Sequence, residues 1–164
     1  MSLSSRTGIL ACCMAIMLAG CGFAPAYGPS GSGSLLQNSI AIDEPSTNTE
    51  YLLVRYLEER LGRAASAKYG LSYSIGVVED AIAVTTDNVN VRVNLVGSVD
   101  WELNDIEEGE LLASGSESGF TSYRAIGSTV AISAAKRDAT ERLVNILGDQ
   151  TVAKLLVEVG RLRQ

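Results

Sequence analysis

The sequence predicts an α+β two-layer sandwich, in which about four largely antiparallel strands carry two helices on one face in the order β-α-β-β-β-α. Three observations predict it. Val89, Val91, Val93, Leu95, Gly97, Val99, Trp101 and Leu103 alternate with Asn90, Arg92, Asn94, Val96, Ser98, Asp100 and Glu102. Strict period-two alternation over that length marks a strand with one buried and one wetted face. An amphipathic helix precedes the strands, headed by Thr47-x-x-Glu50, and an alanine-rich helical pattern follows them from about Ser128. Two helices over one face bury both sets of apolar side chains in the simplest way.

The elements follow in order. Ile40 and Ile42 alternate with Ala41 and Asp43, giving a short first strand from about Asn38 to Asp43 that Pro45 ends. Thr47 and Glu50 match a capping box, in which hydroxyl and carboxylate each satisfy a free N–H of the first turn. Leu53, Leu57 and Leu61 line one side of that helix with Ala64 and Ala65 beyond, and Gly70 is the expected stop. Leu71, Tyr73, Ile75 and Val77 begin the second strand, which Ile82 and Val84 extend past an irregularity at Glu79-Asp80. Thr85 to Asn88 form a turn into the third strand, and Asn104 to Gly109 a turn into the fourth. That strand, Glu110 to about Tyr123, is rich in serine and glycine and weakly patterned, as fits an edge or a partner-contacting strand. In the last helix Ala131, Ala135 and Ala139 lead to Leu143, Ile146 and Leu147. Gly148 is an interior weak point that costs about 1 kcal/mol relative to alanine. Beyond it Val152, Leu155, Leu156 and Val159 either continue the helix or form a second one.

Ahead of the domain lies a secretory signal. Arg6 is followed by an apolar run from Ile9 to Leu18, about ten residues and too short to cross roughly 30 Å of hydrocarbon. Leu18-Ala19-Gly20-Cys21 resembles the lipobox of bacterial lipoproteins, in which the cysteine is acylated and becomes the new N-terminus. The expected organisation is a cleaved signal over residues 1–20, lipidated Cys21 with a Gly/Ser-rich tether over 21–37, and one domain over 38–164. Acyl chains contribute about 0.8 kcal/mol per buried CH₂, so such an anchor is long-lived.

Removal of residues 1–20 leaves 144 residues, and the basic count falls from 13 to 12 while the acidic count stays at 19, a net charge of −7. That balance argues against non-specific nucleic-acid binding, which needs a basic stripe. Cys12 and Cys13 leave with the signal and Cys21 is used for lipid, so packing alone must hold the fold. The chain has no histidine, which removes the usual general base and metal ligand. No enzymatic activity, metal or other cofactor is expected. Glu79-Asp80 and Asp105 to Glu108 are the remaining acidic candidates for hydrolysis, and both read as turns.

Four features together resemble the lipopolysaccharide-assembly lipoprotein family (LptE) in its alphaproteobacterial form. They are the start Cys21-Gly22-Phe23-x-Pro25-x-Tyr27, the element order, a central strand with Arg92 that ends in Trp101-x-Leu103-x-Asp105 before Gly109, and Thr121-Ser122-Tyr123 ahead of a helix with Ala139-x-Glu141-Arg142-Leu143. The resemblance implies a lipid-anchored, periplasm-facing protein of the outer membrane that carries out no chemistry. It would support assembly of a large lipopolysaccharide-exporting β-barrel translocon (LptD-type) and help place lipopolysaccharide in the outer leaflet. Gly22 after the cysteine, where aspartate would retain a protein in the inner membrane by the enteric rule, is compatible with that address.

Lipopolysaccharide presents phosphates or uronic acids, so arginine and lysine are the expected contacts. Arg92 on the wetted face, Arg124 after the last strand and the adjacent Lys136-Arg137 are the candidates. The ordinary alternatives are a cross-strand ion pair for Arg92 and a solvated helix face for Lys136-Arg137; for Trp101 and Tyr123 core packing is favoured over a role at the barrel surface. A second functional reading is a ligand-binding or auxiliary lipoprotein of an ABC-type transport system, which would need an apolar pocket of a few hundred Å³.

Overall fold

Three long strands set the dimensions of the molecule. The computed structural model of the chain describes residues 32–84 and 90–162. Cys21, the signal segment, most of the tether and the expected turn at 85–88 lie outside the described residues. The elements are α1 (Ser32–Leu36), β1 (Ile40–Ile42), α2 (Asn48–Leu61), β2 (Tyr69–Val84), β3 (Asn90–Asp105), β4 (Leu111–Arg124) and α3 (Thr129–Leu162). Strand order is β1-β2-β3-β4, with β1 parallel to β2 and the other pairs antiparallel. The expected α+β order is therefore the observed one. The end of the segment read as a tether carries α1, whose Leu36 is fully buried.

Helix α2 opens as expected, with Glu50 N–H donating to Thr47 Oγ1 at 3.2 Å and the Glu50 carboxylate accepting from Thr47 N–H at 3.3 Å. Backbone and side-chain bonds from Ser46 hold the Glu50 carboxyl below its ordinary range. It ends earlier than Gly70, at Leu61. Gly62 adopts φ +77°, a left-handed conformation glycine reaches without a Cβ penalty, and its N–H closes the last turn on Glu58 O at 2.9 Å. Gly70 instead lies in β2, opposite Asn104. Glu79-Asp80 are not a turn either: they stay in register with Leu95 and Asn94, and the irregularity falls between Ala81 and Val84. Asp105 to Gly109 do turn the chain, with Asp105 Oδ1 accepting from Glu107 N–H at 2.8 Å and Glu108 N–H at 3.1 Å.

Helix α3 is continuous through Gly148. Its 34 residues span about 50 Å, and the 16 residues of β3 span about the same. One helix can therefore lie along the whole sheet. Leu143, Leu147, Val152, Leu155 and Val159 are buried, each contributing about 1.5–3 kcal/mol, which outweighs the weak point at Gly148. On the sheet Leu71, Leu95, Val99, Trp101 and Leu103 complete the core with Leu53 and Leu57 of α2. Trp101 and Tyr123 are core residues, as favoured above. The hydroxyl of Tyr73 sits beside this core, where burial and the carboxylates of Glu50 and Asp43 push its pKa up to about 12. Both helices lie on one side, and no described element covers the other face of the sheet.

Candidate functional site

Antiparallel register places Arg92 of β3 directly opposite Arg124 of β4, at one end of the uncovered face. Both are exposed, and among the described residues neither has an ion-pair partner. Like charges facing each other across a strand pair repel by a few tenths to about 1 kcal/mol, a cost that an anion between them would remove. The register shifts of β2 between Ala81 and Val84 lie next to this end, where Ala83 pairs with Arg92. Such bulges bend a strand.

A third guanidinium joins from α3. Arg142 Nη2 donates to Ser122 O at 3.2 Å, and Nη1 pairs with Asp138 one turn back. Arg92, Ser122, Tyr123, Arg124, Ala135, Asp138 and Arg142 line a concavity of about 270 Å³. Three guanidiniums against one carboxylate leave it positive. Each offers a planar fork that fits phosphate or carboxylate bidentately. Arg142 belongs to the helix motif of the family resemblance, but nothing in the sequence places it at this site, because its position beside Ser122 depends on how α3 docks along β4.

Lys136 and Arg137 are not part of this cluster. Lys136 pairs with Glu79 of β2, whose other oxygen accepts from the Tyr123 hydroxyl at 3.1 Å. The ammonium holds the Glu79 carboxyl below its ordinary range, Glu79 in turn raises Lys136, and burial raises Tyr123. Lys136 thus ties α3 to the sheet. Together with Arg137 it also lines a separate concavity of about 350 Å³ between α2 and α3, beside Leu52, Thr140 and Glu141. Glu141 accepts there from Arg55 at 2.9 Å.

No family model and no curated protein matches the chain. Solved structures do. The chain is 28% identical to a candidate lipoprotein from Caulobacter crescentus, over 77% of this chain and 93% of that one, with a TM-score of 0.65. It has the fold of bacterial lipoproteins. Rare lipoprotein B from Shewanella oneidensis superposes over 78% of this chain and 99% of its own, at 10% identity and a TM-score of 0.61. A minor lipoprotein from Acinetobacter baumannii does so over 74% and 91%, at 15% identity and a TM-score of 0.54. The latter two speak to fold alone.

Proposed function

We propose that this protein is an outer-membrane lipoprotein, anchored through Cys21 and facing the periplasm, that binds and supports assembly of a lipopolysaccharide-exporting β-barrel and helps insert lipopolysaccharide into the outer leaflet. The single observation that carries the reading is the cluster of Arg92, Arg124 and Arg142 at one end of an uncovered sheet on a lipoprotein fold. Solved bacterial lipoproteins share that fold, and the mature sequence resembles the lipopolysaccharide-assembly family. The arginine concavity is lined mainly by polar and charged side chains, a surface suited to an anionic head group rather than to an enclosed apolar ligand.

Capture of purified lipopolysaccharide by the immobilised full-length lipoprotein tests it. Hydrogen bonds to charged groups contribute about 1.5–3 kcal/mol each, so Arg92→Glu with Arg124→Glu lowers capture by tenfold or more, and added salt weakens the wild type toward the variant. Undiminished capture by that double variant would show that the cluster is not the contact.

A further inference from the structure

The uncovered face of β2, β3 and β4 is built in rows, and those rows complement one another. Val78, Val96 and Phe120 are directly opposed across the three strands and stand 68%, 45% and 69% exposed. Beside this bulky row runs a row of Gly76, Ser98 and Ser118, also in register and without a large side chain among them. Outward from the bulky row come Asp80, Asn94 and Ser122, then Arg92 and Arg124. Outward from the small row come Ser74, Asp100 and Ser116, then Ser72, Glu102 and Ser114. One end of the face is basic, and the other is a shallow trough of about 470 Å³ that Asp100 and Glu102 make acidic.

We propose that this face docks on a second copy of itself. A half-turn about an axis in the sheet plane, across the strands and between the bulky and small rows, reverses strand direction and keeps each strand over its own counterpart. Val78, Val96 and Phe120 of one copy then sit over Gly76, Ser98 and Ser118 of the other, bulky row over small row. Asn94 lies over Asp100, a donor over an acceptor. Arg92 lies over Glu102, and Arg124 over Ser114 at the rim of the acidic trough. Every contact occurs twice, as an isologous twofold interface requires. Packing of aligned sheets face to face at about 10 Å accommodates the twist of both. Three strands about 4.8 Å apart and roughly 35 Å long cover about 500 Å² per copy, near the lower limit for a specific contact, so the dimer is weak and reversible.

The proposal goes beyond the function proposed above and stands on the row pattern alone. Sedimentation of the full-length lipoprotein in detergent micelles, across a concentration series, tests it. The wild type shifts toward a dimer as concentration rises. Arg92→Glu and Glu102→Arg each weaken association by about tenfold or more, since each sets like charges over one another, and the combined exchange restores it. Phe120→Ser, which removes the ridge from an exposed position, also abolishes the dimer while circular dichroism stays unchanged. Three outcomes overturn the proposal: a monomer at every concentration, a dimer indifferent to all these variants, or charge reversals that the combined exchange does not rescue. Lipopolysaccharide capture is read on the same proteins. There Glu102→Arg gives no rescue of Arg92→Glu, so the two readings fail separately.

Discussion

Gly148 stands where the two long helices meet. A Cβ built there lies 2.5 Å from Cδ1 of Tyr56 and 3.0 Å from its Cε1, so the ring needs the space glycine leaves open. Two effects compete in Gly148→Ala. Helix propensity favours alanine by about 1 kcal/mol, whereas overlap with a packed ring costs about 1–3 kcal/mol. Overlap prevails, and urea unfolding should show a net loss of about 1 kcal/mol. In a Tyr56→Ala background the same substitution becomes stabilising, which a double-mutant cycle will detect. Glu79 makes the second prediction at this scale. Its carboxyl is held below the ordinary 4.5, first by Lys136 and then by the Tyr123 hydroxyl. A lowered native pKa means the stabilisation is complete above 4.5 and disappears as the pH falls through the native value. The stability difference between wild type and Glu79→Gln is therefore steady from about pH 6 to 8 and shrinks on the acid side. With both partners about half exposed it stays below about 1 kcal/mol. A difference that grew with acid would contradict the assignment.

Elements reveal how much the chain discloses by itself. The strands were legible because alternation has a period of two: the buried set Val93, Leu95, Gly97, Val99, Trp101 and Leu103 is the set on the helix side. The capping box at Thr47 was legible because it is local, and Thr47→Ala should cost about 1 kcal/mol in thermal unfolding. Helix ends were harder. Gly62 and Gly70 carry the same stop signal, and only the turn that brings Asn38 N–H to Leu61 O at 2.8 Å selects the first. Glu79-Asp80 resembled a turn by composition, yet the sheet continues through it because Lys136 and Tyr123 satisfy the Glu79 carboxylate. Two of the three arginines of the candidate site were readable. Alternation marks Arg92 as an outward-facing cation and Arg124 follows the last expected strand, whereas their pairing depends on the sheet register and the entry of Arg142 on the docking of a helix about 50 Å long along β4. That docking depends on Leu143 and Leu147, both fully buried. Leu143→Ala should cost about 2–5 kcal/mol in urea unfolding.

At the scale of the whole molecule, one layer of helices stabilises the sheet and leaves its other face with charged ends and a central apolar ridge. Among the described residues this arrangement offers open surfaces and shallow concavities. The function proposed above requires a stable complex with a β-barrel partner. Affinity purification of the full-length lipoprotein from solubilised outer membranes, with mass spectrometry of co-purifying proteins, addresses it most directly. The expected result is one large β-barrel in about equal amount, retained by wild type at a salt concentration that strips non-specific contacts. Recovery of inner-membrane transporter subunits in its place, or of no barrel at all, would contradict a role in assembling a lipopolysaccharide-exporting barrel.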